Sequence, residues 1–461
     1  MVKVITYGTY DLLHQGHINL LRRAKALGDY LIVGVTTDNF DLERGKLNVR
    51  NNVMERIENV RKTGLADEII IEEYLGQKID DIQRYDVDIF AIGSDWEGHF
   101  DYLKEYCEVV YLERTEGISS TQLRNEDTVR LGIIGTGRIA NRFFPEVQYV
   151  NGVQVTAVYN PVNLPEADDF AGKYSIPVSA ADAEEFLNNV DAVYVASPHL
   201  THYSYVKWLL ENDKHVLCET PLTLVSEEAR FLIELARERH LTLMEANKTA
   251  HFPAFNHLIS LLKSGLIGTI VDIDASLSTL RQEGLREMDP LQAGGSVTEN
   301  ISFVLLPIFK FLGTDYKDLM FFSSFKGGVD IYTKGILQYP SAVASFKIGL
   351  GVKTEGNLVI SGTRGYAYVP APWWKTDYFE LRYEDINMNR KYFYSYSGEG
   401  LRYELQEFIS CINKRILTSH RLTTSEMIAS AGVIEHFRRK LASAPASQAS
   451  TFSQRSLGLG R

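Results

Sequence analysis

The chain has 461 residues, of which 45% are hydrophobic and 23% are charged, and this predicts two to four globular domains at roughly 100–200 residues each. Its 48 basic and 59 acidic residues give a formal net charge of -11, which argues against a general nucleic-acid binder. The three cysteines are widely spaced, so neither a disulfide framework nor a zinc site is expected. Without a signal peptide or an apolar run of about 20 residues, the chain is expected to be cytoplasmic and free of membrane contact.

The first 112 residues alternate between strands and helices. Strands are predicted at 2–7, 30–35, 68–72, 87–92 and 108–112, and helices at 17–28, 53–63 and 78–85. This alternation predicts a parallel sheet covered by helices.

The segment TYGTYDLLHQGH places two histidines at the start of the first predicted helix. His14 and His17 flank Gln15-Gly16, shortly after a strand that ends at Gly8. Because a helix N-terminus presents free N–H groups and a partial positive charge, it favours phosphate binding. Imidazoles at that place can donate to triphosphate oxygens, so the spacing predicts a nucleotide site rather than two structural histidines.

A second phosphate cradle is predicted in ERTEGISSTQLR, residues 113–124. Arg114 follows a strand there, and Ser119, Ser120 and Thr121 precede the next helix. Hydroxyl and amide groups at a helix N-terminus can bind phosphate oxygens. An ordinary N-cap is the alternative, and the pairing with two upstream histidines argues against it.

These segments resemble the glycerol-3-phosphate cytidylyltransferase family, within the HxGH nucleotidylyltransferase superfamily. The matching strings are GTYDLLHQGHINLLRRAKALGD, GSDWEGHFD (93–101) and RTEGISST (114–121). The resemblance implies attack of a substrate phosphate on the α-phosphorus of CTP, with release of pyrophosphate and no covalent enzyme intermediate. Catalysis would then depend on positioning and electrostatic stabilisation.

The resemblance also implies roles for individual residues. The implied catalytic residues are His14, His17, Lys46 and Arg114. The implied nucleotide-binding residues are Thr9, Tyr10, Asp11, Asp95, Trp96, Ser119, Ser120 and Thr121. Asp11 is also the predicted ligand of an Mg²⁺ ion that accompanies CTP, and Arg56 is the predicted contact for the acceptor phosphate. Gly64 stands near the place where the family has an arginine, which leaves the acceptor's identity open.

The pattern restarts at Val129, where VRLGIIGTGRIANRF predicts a strand, a glycine turn and a helix. Gly135, Gly137 and Ala140 stand in the strand–turn–helix context that dinucleotide-binding domains require. Further strands at 153–160, 191–198 and 215–221, with helices at 167–174, 182–189 and 202–212, predict a second doubly wound unit.

The end of the second strand of this unit bears on the cofactor. NAD-binding domains usually place an acid there to bind the ribose 2′-OH, whereas this chain has Tyr159-Asn160. The missing carboxylate favours NADPH over NADH, and Arg138 is able to assist. The predicted cofactor contacts are Gly135, Gly137, Arg138, Ile139, Asn160, Ser197, Pro198, His202 and Glu219.

After residue 245 the composition changes to that of an α+β domain. Strands are predicted at 269–280, 317–324, 327–338, 341–349 and 356–369, and helices at 254–264, 303–312, 400–416 and 424–439. The whole chain is thus predicted to have an α/β fold in three domains with a tail. They are an HxGH nucleotidylyltransferase domain at 1–127, a dinucleotide-binding Rossmann domain at 128–245, an α+β open-sheet domain at 246–440 and a flexible tail at 441–461. The first boundary is expected near Asn125–Asp127.

Residues 129 to about 440 resemble the glucose–fructose oxidoreductase and inositol dehydrogenase family. The matching strings are SPHLTHYSYVKWLLENDKHVLCETPL, GLIGTI, GGSVTENISFVLLPIFKFLG, SGTRGYAYVPAPWWK and GLRYELQEFI. The resemblance implies a Rossmann domain and an α/β domain whose open sheet often forms the oligomer face. One departure concerns the family's Glu-Lys-Pro, whose lysine protonates the substrate oxygen, because Thr220 stands in place of that lysine. The family's later aspartate and histidine are replaced by Asn300 and Val304.

Two interpretations of this departure stay open. In the first, Lys248 of MEANKTAHFP, with His251 or His199, replaces the missing acid, and Asn300 contacts substrate. In the second, the domain has lost redox activity and serves assembly, and Lys248 is a solvated lysine. The string Trp373-Trp374-Lys375 either contacts substrate or packs at the sheet edge. The intact cofactor turn favours activity.

A reductase fused to a cytidylyltransferase suggests consecutive steps. The hypothesis is that NADPH reduces a sugar phosphate to a polyol phosphate, which is then coupled to CTP as a CDP-alditol for capsule or teichoic-acid type polysaccharides. One alternative is a cytidylyltransferase with an inactive dinucleotide-binding scaffold. Another is an adenylyltransferase of the pantetheine-phosphate or FAD type, against which RTEGISST argues. The expected partners are small molecules and further copies of the chain, in a dimer or tetramer.

Overall fold

The computed structural model describes residues 1–43, 49, 51–74, 76–113, 128–394 and 398–443. Contacts divide the chain into two compact units. The first, called the N-terminal unit, is Met1–Thr128 with Tyr149–Gly152, and the second, called the C-terminal unit, is Val129–Gln148 with Val153–Arg461. Within the described residues, no helix combines the length and the apolar character that a membrane span requires.

A five-stranded sheet forms the centre of the N-terminal unit, in the order β3-β2-β1-β4-β5. All neighbouring strands are parallel. The strands are β1 Lys3–Gly8, β2 Tyr30–Thr36, β3 Glu68–Glu72, β4 Ile89–Gly93 and β5 Glu108–Leu112. The helices are α1 Gln15–Lys25, α2 Asp38–Glu43, α3 Val53–Lys62 and α4 Gln77–Tyr85. The strand order reverses between β1 and β4, which is where sheets of this kind bind ligands.

Both faces of this sheet are buried. Successive side chains of a strand point to opposite faces, so Val4 of β1 packs in one apolar cluster and Ile5 packs in the other. Strand β2, YLIVGVT, is buried along nearly its whole length for the same reason.

The C-terminal unit begins with a six-stranded parallel sheet, in the order β11-β10-β9-β6-β7-β8. Its strands are β6 Val129–Ile134, β7 Val153–Tyr159, β8 Val178–Ser179, β9 Ala192–Val195, β10 His215–Glu219 and β11 Leu243–Ala246. Its helices are α5 Arg138–Val147, α6 Leu164–Tyr174, α7 Ala183–Asn188, α8 His199–Glu211 and α9 Ser226–Glu238. Here the order reverses between β6 and β9, so the glycine turn after β6 lies at the reversal point.

The same unit contains an eight-stranded sheet, in the order β13-β14-β15-β12-β16-β17-β18-β19. Only β12 and β15 pair in parallel; the other neighbours are antiparallel. The strands are β12 Ile270–Ser278, β13 Asp318–Lys326, β14 Val329–Gln338, β15 Val343–Gly349, β16 Leu358–Gly362, β17 Tyr366–Val369, β18 Tyr378–Arg382 and β19 Arg390–Phe393. The helices are α10 Pro253–Lys263, α11 Ser296–Leu312, α12 Leu401–Lys414 and α13 Thr424–Ser443.

One face of the eight-stranded sheet is covered and the other is open. Helix α11 packs against β12, β14 and β15, and Phe321 of β13 meets Phe437 of α13 edge to face. Met320 and Phe322, which alternate with Phe321, are exposed on the opposite face. Val343 of β15 is exposed as well.

The predicted fold class is confirmed, and the differences are local. The single strand predicted at 356–369 is two strands, β16 and β17, joined by a turn at Thr363–Gly365. Helix α11 begins at Ser296 rather than at 303, and strands β8, β18 and β19 with helices α2 and α9 were not predicted. The predicted boundary at Asn125–Asp127 and residues 444–461 of the predicted tail lie outside the described residues.

A buried ion pair connects the two sheets' helical layers within the C-terminal unit. Glu146 of α5 and Arg402 of α12 form a two-pronged contact, with Nε–Oε2 at 2.8 Å and Nη2–Oε1 at 3.0 Å. Their side chains are only 5% and 3% exposed. A bidentate guanidinium–carboxylate pair has a fixed geometry, so this contact sets how α12 lies against α5.

We expect Glu146→Ala to destabilise the protein by about 3–5 kcal/mol, because it leaves a buried guanidinium without its counter-charge. The matched control is Asp191→Ala, which breaks the Arg130–Asp191 pair whose carboxylate side chain is 44% exposed; it should cost under about 1 kcal/mol. Thermal and urea denaturation followed by circular dichroism measures both. If Glu146→Ala and Asp191→Ala lost equal stability, burial would not be what makes the Glu146–Arg402 pair important.

Candidate active sites

The two histidines of the N-terminal unit lie together at the start of α1. Their rings stack with centroids 3.9 Å apart and planes 21° apart. His14 is the N-cap, and its Nδ1 accepts a hydrogen bond from the Gly16 N–H at 3.1 Å. Because Nδ1 accepts, the proton of the neutral ring sits on Nε2, which can donate to an anion. This is the arrangement that the sequence predicted for a phosphate site.

A buried network supports the strand end before these histidines. Thr9 Oγ1 donates to Asp41 Oδ1 at 3.0 Å, and Thr36 Oγ1 donates to Asp41 Oδ2 at 2.6 Å. Arg56 lies 3.2 Å from the same carboxylate, and both side chains are fully buried. The guanidinium also donates to the carbonyl oxygens of Thr9 and Thr36 and pairs with Asp38 at 2.5 Å.

The predicted contact between Arg56 and the acceptor phosphate is therefore wrong for this structure. The guanidinium is fully buried beneath the site and bonded to protein groups, so it holds Thr9 in place rather than meeting a ligand. The prediction that Tyr10 binds the nucleotide is corrected for the same reason. Its ring lies in the apolar core and stands edge-on to the His17 ring, with centroids 5.6 Å apart. A side chain in the core supports the histidine and does not reach a nucleotide.

Asp11 is 5% exposed, and its Oδ1 accepts from the Asn51 N–H at 2.9 Å. Among the described residues, no group of three or more His, Cys, Asp or Glu could hold a metal ion. An Mg²⁺ ion bound here would take most of its ligands from the triphosphate and from water, as Mg²⁺ commonly does.

Asp95 and Trp96 lie on a short 3-10 turn, Ser94–Trp96, that follows β4. Trp96 is 42% exposed, and its ring stands edge-on to His99. Because β4 is the parallel neighbour of β1, both residues lie at the same sheet edge as the histidines. Lys46, Arg114, Ser119, Ser120 and Thr121 lie outside the described residues.

The C-terminal unit has a cleft of about 930 Å³ at the carboxyl ends of its parallel strands. Most of the residues predicted for the cofactor and the substrate line this cleft. They are Gly135, Gly137, Arg138, Ile139, Asn160, Ser197, Pro198, Glu219, Lys248 and Asn300. Thr220 and Trp374 line it too, whereas Trp373 is fully buried and donates its indole N–H to the Ser276 carbonyl at 2.8 Å.

The glycine turn fits a dinucleotide. Gly135 has φ +94°, and a Cβ there would lie 2.6 Å from the Ala196 carbonyl oxygen, so only glycine allows β6 and β9 to end this close together. A Cβ built on Gly137 would meet no described atom within 4 Å, which leaves room for a phosphate against the N-terminus of α5. Asn160 donates to Thr136 Oγ1 at 2.8 Å and is thereby tied to the turn.

Two predicted histidines do not line the cleft. His202 is fully buried, and its ring nitrogens lie 2.8 Å from the carbonyl oxygens of Ser197 and Pro221. It therefore joins the ends of β9 and β10 and does not contact a cofactor. His251 is fully buried, and burial lowers its pKa well below the usual value. The prediction of His251 as a proton donor is corrected, because a neutral ring outside the cleft cannot protonate a substrate.

Lys248 lies in the 3-10 turn that follows β11 and reaches the cleft with 13% of its side chain exposed. Its Nζ donates to the Glu399 carbonyl at 3.2 Å. Burial, and then the charge of Lys375, lowers the pKa of Lys248, against the opposing effect of Glu404 and other carboxylates. A lysine with a lowered pKa gives up its proton more readily near neutral pH, as a general acid must.

The carboxylates of Glu219 and Glu404 both act on the charge of Lys248. Glu219 was predicted only as a cofactor contact, and Glu404 was missed by sequence reasoning. Burial raises the pKa of Glu219 to about 7, and the Tyr194 hydroxyl donates to that carboxylate. Glu404 is fully buried, and its oxygens have no hydrogen-bond partner among the described residues. Burial, and then Glu219, raises the pKa of Glu404 well above its usual value. A lone glutamate inside GLRYELQEFI carries no signal that separates it from a solvated helix residue.

Comparison with known proteins follows the division between the two units. A family model described as "Cytidylyltransferase-like" matches residues 5–126, and one described as "Oxidoreductase family, NAD-binding Rossmann fold" matches residues 129–247. Glycerol-3-phosphate cytidylyltransferase from Bacillus spizizenii is 53% identical over 131 residues, which are 27% of this chain and 97% of that protein. Trans-1,2-dihydrobenzene-1,2-diol dehydrogenase from Oryctolagus cuniculus is 30% identical over 325 residues, which are 67% of this chain and 97% of that protein.

Solved structures match the C-terminal unit at low identity and show its fold. A 3-ketoreductase from Actinomadura kijaniata, in complex with NADP and TDP-benzene, has a TM-score of 0.60 at 22% identity and covers 68% of this chain and 97% of that chain. A levoglucosan dehydrogenase, in complex with NADH and levoglucosan, has a TM-score of 0.62 at 14% identity, with 68% and 97% covered.

The chain therefore belongs to two enzyme families: to the cytidylyltransferase-like family in its N-terminal part, and to the oxidoreductase family with an NAD-binding Rossmann fold from Val129 onward. The resemblances identified from the sequence are confirmed.

Arg56→Met should destabilise the protein by about 3–5 kcal/mol, because it leaves the buried carboxylate of Asp41 without its cation. Arg61→Met is the control on the same helix, since Arg61 is exposed and pairs with Glu58 at the surface; it should cost under about 1 kcal/mol. Differential scanning calorimetry measures both. If the Arg56→Met protein kept its stability and had a raised KM for the acceptor, the result would instead support a direct contact between Arg56 and the acceptor phosphate.

The fully buried Glu245 of β11 predicts a pH dependence of stability. Burial raises the pKa of Glu245 to about 8, so the folded chain keeps a proton that the unfolded chain releases at lower pH. Stability should therefore fall as pH rises from about 5 to 8. In Glu245→Gln that loss should be smaller by at least about 1.4 kcal/mol, the equivalent of one pKa unit. Urea denaturation at pH 6 and pH 8 measures this loss of unfolding free energy, and Glu211→Gln, at an exposed position, is the control. A loss in Glu245→Gln equal to that of the wild type would contradict the prediction.

Proposed function

We propose that the chain is a bifunctional enzyme that makes a CDP-alditol. The part from Val129 onward reduces a sugar phosphate with NADPH, and the N-terminal part transfers a cytidylyl group from CTP to the resulting polyol phosphate. The observation that carries this proposal is the pair of phosphate cradles at two strand-order reversals, one with stacked histidines and one with a glycine turn. The 53% identity to a glycerol-3-phosphate cytidylyltransferase supports the polyol phosphate as acceptor.

In the transferase step, a phosphate oxygen of the acceptor forms a bond to the α-phosphorus of CTP. The bond from that phosphorus to the bridging oxygen of the β-phosphate breaks, and pyrophosphate leaves. His14 and His17 donate to phosphate oxygens on which charge develops, and Thr9 is held beside them through Asp41. Lys46, Arg114, Ser119, Ser120 and Thr121 are proposed to hold the remaining phosphates. Mg²⁺ would neutralise triphosphate charge.

In the reductase step, NADPH held at the turn of Gly135 and Gly137 would supply the hydride that the carbonyl carbon accepts. Lys248 donates a proton to the carbonyl oxygen, which becomes the alcohol, and Asn300 orients the substrate. Asn160 in place of an acid supports NADPH, as does the NADP bound to the similar 3-ketoreductase. The similar levoglucosan dehydrogenase binds NADH instead. The affinities of this chain for NADPH and NADH are therefore to be compared by measurement.

The remaining assignments follow from this function. Residues 1–127, 128–245 and 246–440 are proposed as cytidylyltransferase, cofactor-binding and substrate domains, with 441–461 as a tail. Exposed apolar side chains on the open face of the eight-stranded sheet, among them Met320, Phe322 and Val343, support a homo-oligomer, a dimer or tetramer. A cytoplasmic location is proposed because CTP and NADPH are supplied there. The CDP-alditol would be a precursor of capsule or teichoic-acid type polymers.

A second candidate function rests on Thr220, which lines the cleft where the related family has a lysine. An unactivated hydroxyl is a poor proton donor, so the C-terminal unit would then be a scaffold that binds a dinucleotide without turnover.

The test is a mass-spectrometric assay with MgCTP, NADPH and a set of sugar phosphates: fructose 6-phosphate, ribulose 5-phosphate and dihydroxyacetone phosphate. We expect a CDP-alditol only when NADPH is present. His17→Ala should abolish pyrophosphate release and leave NADPH oxidation intact. Lys248→Met should lower NADPH oxidation by about 100-fold or more, because the general acid is lost, and leave cytidylyl transfer to ready-made polyol phosphates intact.

The control variant is Lys207→Met, which removes an exposed lysine of α8. It should change neither activity. CDP products that form only from ready-made polyol phosphates, with no NADPH oxidation on any sugar phosphate, would favour the scaffold instead.

A further inference from the structure

One wall of the cleft in the C-terminal unit carries a concentration of positive charge that the hydride and proton transfers do not use. Four arginines line it: Arg138, Arg142, Arg281 and Arg286. Arg138 and Arg142 belong to α5 beside the glycine turn, whereas Arg281 and Arg286 belong to the segment between β12 and α11. The wall therefore joins the cofactor domain to the substrate domain.

In the part of the chain that the structure describes, two carboxylates form ion pairs with these arginines. Glu287 Oε1 lies 2.7 Å from Arg138 and 3.5 Å from Arg281, so two guanidinium groups share one oxygen. Glu299 Oε1 lies 2.9 Å from Arg286. Burial raises the pKa of Glu299 to about 7, which weakens this compensation further near neutral pH. Arg142 also acts on Glu399, so four guanidinium groups against these carboxylates leave the wall with a net positive charge, opposite in sign to that of a phosphate monoester.

The guanidinium groups of this wall are incompletely satisfied by the protein. Burial, and then the neighbouring charge of Arg138, lowers the pKa of Arg281. Nη1 of Arg286 is buried and has no hydrogen-bond partner among the described residues. Nε of Arg281 is also buried, and it lies 3.5 Å from Glu287 Oε1 without forming a hydrogen bond. Buried donors without acceptors, beside a like charge, are unfavourable unless an anion enters.

The wall also lies next to the reacting end of the cleft. Glu299, which pairs with Arg286, has Oε1 3.5 Å from Nδ1 of His199. His199 begins α8 directly after Pro198, at the end of β9, and lines the same cleft. One carboxylate therefore separates Arg286 from the strand ends where the sugar's carbonyl would be reduced.

We propose that Arg281 and Arg286 bind the phosphate group of a phosphorylated sugar in the reductase cleft. The assignment rests on the proposed function, in which this cleft reduces a sugar phosphate, and it identifies the residues that distinguish a phosphorylated sugar from a free one. The planar fork of a guanidinium matches phosphate oxygens in pairs, which explains why the wall uses arginine rather than lysine. The phosphates of the cofactor share this chemistry, so the experiment separates the two.

The experiment titrates fructose 6-phosphate or fructose into the full chain saturated with NADP⁺, which carries no hydride to transfer, and measures the affinity by isothermal titration calorimetry. The affinity for NADPH is measured separately from its fluorescence, without sugar. The wild-type protein should bind the phosphorylated sugar at least about tenfold more tightly. Arg281→Gln and Arg286→Gln should each lower the affinity for fructose 6-phosphate by about tenfold or more. Their affinity for fructose and for NADPH should stay within about twofold of wild type, which is under 0.5 kcal/mol.

Arg237→Gln is the charge-matched control, because Arg237 is exposed on α9. It should leave all three affinities unchanged. Arg286→Lys keeps the positive charge and loses the planar fork of the guanidinium, so its loss of affinity for fructose 6-phosphate should be intermediate. It replaces the glutamine variant in the test if that variant fails to fold.

Three outcomes would overturn the assignment. They are a wild-type protein that binds both sugars equally, glutamine variants that keep the wild-type preference, and variants whose loss is in NADPH affinity instead, which would place these arginines on the cofactor. A wild-type chain that binds no NADPH contradicts the proposed function itself, so the two failures are distinguishable.

Discussion

The carboxyl ends of parallel strands meet at one edge of a sheet, and both parallel sheets of this chain hold their chemical groups at that edge. In the first sheet, His14 follows β1 and Trp96 follows β4, on the two sides of the order reversal. In the second, Gly135 follows β6 and Ser197 follows β9 in the same relation. The absence of a Cβ at Gly135 is what lets the second pair of strand ends close around the cofactor turn.

Local signals in the sequence predicted the elements that local forces decide. The strands at 68–72 and 108–112 were predicted with the bounds that the structure has, because short apolar runs between polar turns specify buried strands. The split of 356–369 into β16 and β17 was missed, since the segment is apolar on both sides of its turn. Strand β19 is the short edge strand of the sheet and β18 is its neighbour, and here pairing with adjacent strands decides the conformation more than the residues do.

The same limit applies to the sites. Motif residues such as His14 and Gly135 are placed where they were predicted, because strand, turn and helix N-terminus fix the direction of the chain. Arg56, His202 and His251 are buried instead, because a polar side chain beside a strand end can point beneath the sheet edge as readily as into the cleft. Arg281 and Arg286 belong to no motif, and their approach to Arg138 depends on how the segment between β12 and α11 packs against α5.

Strand β12 has a consequence for how the chain acquires its structure. This central strand pairs in parallel with β15, about 70 residues later, and antiparallel with β16, which follows β15. During synthesis, both edges of β12 stay unpaired until those later segments have emerged from the ribosome. Pairing over such separations is slow, and an unpaired apolar strand invites association with other nascent chains. The N-terminal sheet has the same constraint, because β1 pairs with β4 about 85 residues later. Neither sheet can complete its central pairing until most of its own unit has been synthesised.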